Sequence, residues 1–472
     1  MQDPIAEIST ALNSFLSGYK SKIKEMPEGQ ALVNFISPIK DFPFHSKLDN
    51  LLKLFPRSFY FENPSENFSF LALDEIFTIS ENGDGRFAAT EKKLKGWREK
   101  LLSNHQQFMD IHFPLFVGGM KFTVEHSDDD WKEFNDSTWF VPEVVIVKKD
   151  DKYFLIFNSL VNATASEDKT VKKLKSKLDI ILKIENDISK NHSVKAINGT
   201  SPKEKKKWKN IVQKVIDKLN DGLLQKAVIS RQVEIQLNDE PSISLIINKL
   251  KSVNGLCYLF IYKNGKSSFF GASPELLLRL KNEMFYSGAL AGSSNRGINE
   301  SEDDKLASDL LSDSKNLFEH NLVVNHITTS FKNFTGEDPI TEKLSVKKLT
   351  NIQHLFTSVS CRNNGGSNIF SLVKDLFPTP AVCGVPKDTA LNIIEDLETE
   401  QRGLYSGIIG WFNFDGTVEL VVGIRSALST GTKILAYAGA GIVADSNPDE
   451  EYKETETKLK SILSVFSDHA KS

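Results

Sequence analysis

The stretch Lys226-Ala-Val-Ile-Ser-Arg-Gln-Val-Glu-Ile decides the fold class. From Ala227 onward it alternates like a strand with one covered face. It follows directly on Trp208 to Leu224, where apolar residues recur at helical spacing. Working outward, further strands are expected at Leu256 to Tyr262, Ser268 to Gly271, Leu276 to Leu280, Ile408 to Phe414, Val418 to Arg425 and Ile434 to Ala438. Helices are expected between and after them at Glu300 to Leu311, Ser314 to Phe331, Ser367 to Leu376 and Pro448 to Phe466. The last starts with strong signals: Asn447 can cap it, Pro448 suits its first turn, and Asp449, Glu450 and Glu451 face the positive end of its dipole. Strands in meander-like succession with helices interspersed predict an α+β layered fold and not strict βαβ alternation.

Upstream, Phe68-Ser-Phe-Leu-Ala-Leu and Val144-Val-Ile-Val read as strands and Val171 to Ser189 as a helix. The compositional break lies at Lys190 to Asn210, where lysines crowd around Ser-Pro and Asn-His. This divides the chain into an N-terminal mixed α/β portion at 1–190 packed on the C-terminal part, a Lys-rich connection at 191–207 and a C-terminal portion at 208–472.

The 472 residues are 40% hydrophobic and 25% charged, the make-up of a globular protein with a large core or two packed lobes. A charge of 58 minus 62, or −4, offers no basic field for nucleic acid. Cys257, Cys361 and Cys383 are too few and too scattered for a disulfide framework, which fits a reducing compartment. The N-terminus lacks the pattern of a signal peptide, and no run of about 20 apolar residues occurs, so a cytoplasmic protein without membrane association is expected. Gly439-Ala-Gly-Ile-Val lacks the third glycine of a dinucleotide fingerprint, and no Gly-Lys-Ser/Thr phosphate loop is present.

Several residues could carry chemistry, each with a plainer alternative. Glu451, Glu454 and Lys458 fall at i, i+3 and i+7 and share a helix face, which also suits a solvated salt-bridged surface. Glu319 lies among apolar positions, where burial is costly without a cation; it could equally sit on a helix surface. Glu275 follows Ser273-Pro274 at the junction of two apolar strands, a place that also suits an ordinary turn carboxylate. Lys226 opens a strongly apolar strand and could serve as a base if drawn inward, or snorkel outward. His354 could donate to a substrate oxygen or be a satisfied core histidine. Carboxylates from separate segments suit Mg²⁺; zinc has no HExxH motif to bind.

From about Trp208 to the C-terminus, successive blocks resemble the chorismate-utilising enzymes, and most closely their isochorismate synthase branch. These are Lys226-Ala-Val-Ile-Ser-Arg, Phe270-Gly-Ala-Ser-Pro-Glu-Leu-Leu, Ala289-Leu-Ala-Gly-Ser-Ser-Asn-Arg-Gly and Glu319-His-Asn-Leu-Val-Val. Ile352-Gln-His-Leu, Pro378-Thr-Pro-Ala-Val-Cys-Gly-Val-Pro, Arg402-Gly-Leu-Tyr-Ser-Gly-Ile-Ile-Gly-Trp, Gly423-Ile-Arg-Ser-Ala, Ala438-Gly-Ala-Gly-Ile-Val and Glu454-Thr-Glu-Thr-Lys458 follow in order. The resemblance implies a two-lobed fold with large antiparallel sheets and a site formed mainly by the C-terminal half. It implies that Lys226 activates water for attack on ring carbon 2 of chorismate while Glu275 protonates the departing carbon 4 hydroxyl. Each must then work in its less usual protonation state. Mg²⁺ would be held by Glu319 and Glu454, with Glu451 nearby or bridging through water. Arg425, helped by Tyr405 and Lys458, would take the enolpyruvyl carboxylate. Backbone N–H groups at Gly292-Ser293 and at Gly439-Ala-Gly441 would meet carboxylate oxygens, and His354 and Ala381 would border the ring.

Within the family, Lys226 points to water and not ammonia as the nucleophile, so no obligatory amidotransferase partner is expected. Ala291 stands where aminodeoxychorismate synthases carry a nucleophilic lysine, and Ala381 where salicylate synthases typically carry threonine. The chain departs from the family pattern at Phe377, Cys383 and Gln401. A salicylate synthase and a non-catalytic chorismate-binding protein are the alternatives. Isochorismate would serve menaquinone or siderophore synthesis, with menaquinone the expectation.

Overall fold

The computed structural model describes residues 4–104, 113–124, 130–163, 167–188, 193–364 and 368–466. Among them, the alternating strands assemble into two large sheets, of thirteen and ten strands. The larger runs from Val194–Asn198 through Lys226–Leu237, Lys433–Ile442, Ser426–Thr430, Ser267–Ser273 and Tyr258–Asn264. It continues without a break into Arg57–Asn63, Phe68–Leu73 and further strands of the N-terminal portion. The smaller runs from Ile352–Arg362 through Met284–Asn295, Leu276–Lys281, Val418–Val422 and Ile408–Asn413 into Leu115–Met120 and Ser137–Val141. The α+β expectation with large antiparallel sheets therefore holds.

Both portions that the lysine-rich segment separates in the sequence contribute to each sheet. The seams are ordinary antiparallel ladders, Leu259 opposite Glu62 in one sheet and Ile408 opposite Met120 in the other. The division at 191–207 thus does not separate two cores. Nor is that segment simply a connection, for Val194–Asn198 pairs with the Lys226 strand and a helix begins at Pro202. Ser201 accepts from the Glu204 amide as N-cap and Pro202 fills the first turn, so the helix starts before Trp208 and ends at Asn220. Upstream, a helix spans Glu167–Lys183 and ends before the expected Ser189. Ser189 to His192 and Ser367 lie outside the described residues.

Side-chain alternation determines what lies between the sheets. Phe59, Phe61, Phe70, Phe260 and Phe269 from the larger sheet meet Val117, Phe140, Ile409, Trp411 and Val421 from the smaller in one aromatic-rich core. The opposite faces are covered by helices. Pro4–Glu25, Glu167–Lys183, Ile243–Val253 and Pro448–Phe466 pack on the larger sheet, and Ser314–Thr335 and Ile369–Leu376 on the smaller. The helix Ser314–Thr335 runs one turn past the expected Phe331 and stops at Gly336, whose left-handed φ of 75° closes it.

Two connections cross from one sheet to the other and place the chemistry. Ser273-Pro274-Glu275 leads from the larger sheet into the strand Leu276–Lys281 of the smaller, and Gly423-Ile424-Arg425 leads back from Val418–Val422 to Ser426–Thr430. They are stitched together: the Val422 amide donates to the Glu275 carbonyl at 3.1 Å and the Ala272 amide to the Arg425 carbonyl at 3.0 Å.

Removing a ring from the inter-sheet core should cost far more than removing an exposed side chain. Phe61→Ala, at a fully buried position stacked on Phe70, is expected to lose about 3–5 kcal/mol in urea unfolding. Ile298→Ala, at a residue 92% exposed, should leave the midpoint unchanged.

Candidate active site

A cavity of about 660 Å³, part of it open to solvent, lies where the two crossings meet. It is lined by Glu275, Gly292, Ser293, Glu319, His354, Ala381, Tyr405, Arg425, Gly439, Gly441 and Lys458. These sequence-predicted residues come from both sheets and from two helices, and all converge there.

Lys226 does not line the cavity surface; it is fully buried just behind it. Its strand is fixed on one side by Ala227 opposite Ile442 and on the other by Lys226 opposite Val385. Nζ lies 2.7 Å from Glu319 Oε1, but the angles are not those of a hydrogen bond, so charge holds the contact and the N–H groups remain unfilled. Burial pushes the Glu319 carboxyl up, but Lys226, Lys458 and Lys315 together outweigh it and the carboxyl titrates below its ordinary range. The contact needs glycine at 441: a Cβ there would stand 2.6 Å from Glu319 Oε1 and 2.9 Å from Lys226 Cε.

Glu275 is almost wholly buried, 3% exposed, and burial raises its carboxyl to about 7. Thr379 donates to Oε1 at 3.1 Å, which opposes that rise, as do the more distant charges of Lys226, Lys458 and Lys347. The turn is locked by its own backbone, since the Glu275 amide donates to Ser273 Oγ and Ser273 Oγ to the Val422 carbonyl at 2.6 Å.

Arg425 is held at φ 51°, a left-handed conformation rare for a side-chain-bearing residue. Its Nη2 donates to His354 Nε2 at 3.2 Å. Nε2 is therefore an acceptor, and the proton sits on Nδ1, which faces Ser293 Oγ at 2.9 Å and the Gly292 carbonyl at 3.3 Å. Burial first, then the Arg425 charge, holds His354 well below its usual titration range, so it is neutral. Among the described residues no carboxylate lies within ion-pair distance of Arg425, whose guanidinium is buried at the cavity wall.

The remaining carboxylates are each matched by a lysine. Glu454 meets Lys458 at 2.5 Å, and Lys458 also donates to the Gly439 carbonyl at 2.9 Å. Glu451, nearly buried, meets Lys315 at 2.8 Å, and burial followed by the Glu454 charge raises its carboxyl. Glu451 and Glu454 lie behind the lining rather than in it. Among the described residues no three His, Cys, Asp or Glu side chains converge at metal-ligand spacing. The donors are hard carboxylate oxygens, the ligand type Mg²⁺ takes, and here each is paired with a lysine.

One expectation is corrected. The Ser293 amide is not open to a substrate oxygen, because it donates to Asn316 Oδ1 at 3.0 Å. Gly292, at φ 79° and beside the register shift between Ala291 and Ser293, forms a bulge; a Cβ there would press on Asn316 at 3.1 Å. Gly439 and Gly441 sit inside a strand, opposite Ser230 and Val228, where the absence of side chains admits Tyr405, Lys226 and Glu319. Tyr405 stacks on Tyr437 at 5.0 Å. Of the departures from the family pattern, Phe377 packs on Phe87 and Phe122, and Cys383 is buried outside the lining with its thiol pushed by burial up to about 12. Sequence reading missed Thr379, Asn316 and Lys315; Thr379 stood inside a quoted block, but nothing local showed that it reaches Glu275.

The family model of chorismate binding enzymes matches residues 18–467. The chain belongs to that family. It is 26% identical over 440 residues to the isochorismate synthase MenF of Bacillus subtilis, covering 92% of each chain. It is 29% identical over 413 residues to the salicylate biosynthesis isochorismate synthase of Pseudomonas aeruginosa, covering 86% of this chain and 84% of that one. In fold it is similar to MenF, the menaquinone-specific isochorismate synthase from Escherichia coli, with a TM-score of 0.79 and 21% identity over 97% of this chain and 99% of that one. The family match begins at residue 18 and so includes most of the N-terminal portion, which lies outside the blocks that carry the resemblance from Trp208 onward.

The raised Glu275 carboxyl has a stability signature. The folded chain favours the protonated form, so this contribution is complete below about 4.5 and is lost as pH rises through about 7. Glu275→Gln should therefore melt above wild type at pH 8, by an amount on the order of 3 kcal/mol, with the difference nearly gone at pH 4. Equal melting temperatures at pH 8 would contradict the burial of a titrating carboxyl.

Proposed function

We propose that this chain is an isochorismate synthase, converting chorismate to isochorismate with water as the nucleophile. The observation that carries the reading is the pairing, across one cavity, of a buried lysine from one sheet with a buried carboxyl at the crossing into the other. A guanidinium with no carboxylate of the described residues at ion-pair distance stands beside them.

In the proposed reaction Arg425 pairs with the enolpyruvyl carboxylate, with Tyr405 and Lys458 at the same wall. Lys226 takes a proton from water as its oxygen bonds to ring carbon 2, the ring double bonds shift, and the carbon 4 to oxygen bond breaks. Glu275 gives its proton to that oxygen, which leaves as water. The proton gained by Lys226 and lost by Glu275 balances through solvent, and the net change is an isomerisation. With a carboxyl near 7, Glu275 is partly protonated at neutral pH, as a general acid must be. His354, neutral and tied to Arg425 and Ser293, orients the guanidinium.

Glu319 and Glu454, with Glu451 adjacent, would hold Mg²⁺, which would supply positive charge to the ring carboxylate and draw the Glu319 charge away from Lys226. Because the nucleophile is water, no amidotransferase subunit is required. No described helix is long and apolar enough to cross a membrane. The product suits menaquinone or siderophore synthesis; its relatives are named for menaquinone and for salicylate biosynthesis. Ala381 at the cavity wall favours stopping at isochorismate over pyruvate elimination.

Incubation with chorismate and Mg²⁺, without ammonia, should yield isochorismate by chromatography, and EDTA should abolish it. Salicylate plus pyruvate as main products would move the chain to the lyase branch, and binding without turnover would make it a sensor. Lys226→Ala should lose turnover by about a hundredfold or more with chorismate binding kept, whereas Arg425→Ala should raise KM most. The reverse pattern would exchange their roles.

A further inference from the structure

Lys347 is a cation with no assigned role. It sits on the short strand Ser345–Lys348, directly opposite His354 on Ile352–Arg362, so both side chains emerge on the same face of the smaller sheet. Its Nζ donates to the Pro274 carbonyl at 3.0 Å and passes over the Phe356 ring at 5.3 Å. Among the described residues no carboxylate lies within ion-pair distance of it, unlike Lys226, Lys315 and Lys458. It is half-buried and does not line the cavity. A lysine that stays desolvated without a counter-charge is costly unless its position is used.

We propose that Lys347 is a positioning residue for the general acid: by holding the Pro274 carbonyl it fixes the sheet-crossing turn so that the Glu275 carboxyl faces substrate. This rests on Glu275 being the acid. Pro274 has no N–H and the Glu275 amide and carbonyl are already engaged by Ser273 and Val422, so the Pro274 carbonyl is the remaining handle on the turn. Lys347 grips it from a third element. The charged groups facing Glu275 are Lys226 on its strand, Lys458 on the C-terminal helix and Lys347. Lys226 and Lys458 are engaged with Glu319 and Glu454. Lys347 in turn is faced by Cys257 and Glu275, and burial lowers its ammonium from the ordinary lysine range.

The test is the pH dependence of isochorismate formation by the full chain carrying Lys347→Met, Lys347→Arg or Glu275→Gln. In Lys347→Met, kcat at neutral pH should fall about tenfold with KM within about twofold. Its falling alkaline limb should move up by about half a pH unit or more, because a cation near the acid is gone. Lys347→Arg should restore both. Unchanged kcat and limb in Lys347→Met would overturn the proposal, as would an equal loss of kcat in both lysine variants with the limb in place, the mark of a purely structural strand anchor. If Lys347→Met does not fold, Lys347→Gln takes its place with the same expectations. An active Glu275→Gln would instead remove the reading of Glu275 as acid, and this proposal with it.

Discussion

The short contact between Lys226 and Glu319 is the constraint around which the site is arranged. A fully buried ammonium needs a counter-charge, and here that charge arrives from a helix on the far side of a strand that is glycine at the crossing point. Any side chain at 441 would separate the two. The proposed base therefore depends on three elements at once: the strand that starts at Lys226, the glycine-bearing strand beside it and the helix Ser314–Thr335. In the proposed reaction, a divalent cation held at Glu319 would compete with Lys226 for that carboxylate.

The proposed acid is built differently. Glu275 has no cation within ion-pair distance among the described residues and instead one hydroxyl donor, Thr379, so burial dominates and its carboxyl rises to about 7. Two carboxylates lining the same cavity thus take opposite states, Glu319 ionised beside lysine and Glu275 partly protonated beside threonine. The division of labour follows from their neighbours and not from residue type. It is made possible by the crossings between sheets, which bring a turn from one and a turn from the other to the same point and leave Arg425 buried with no carboxylate of the described residues at ion-pair distance.

Local patterns carried much of this. The C-terminal helix begins at Pro448 where the cap and first-turn signals place it, and the strand opening at Lys226 follows its alternation. The residues lining the cavity were legible because they stood in recognisable blocks. What was not legible depends on partners far away in the chain. Alternation in Phe68–Leu73 signals a strand but not that it extends the same sheet as Lys226. The use of the Ser293 amide by Asn316, the reach of Thr379 to Glu275 and the grip of Lys347 on Pro274 each join segments that only packing brings together.

The account's central claim is that Lys226 activates water for addition at ring carbon 2 while Glu275 expels the original hydroxyl. Turnover of chorismate in ¹⁸O-labelled water, read by mass spectrometry of the product, tests it most directly. The account predicts isochorismate carrying one labelled oxygen, at ring carbon 2, formed by the wild-type chain and lost with Lys226→Ala. Isochorismate that retains only the oxygen of chorismate would mean that the hydroxyl migrates within the substrate, and that water is not the nucleophile in this site.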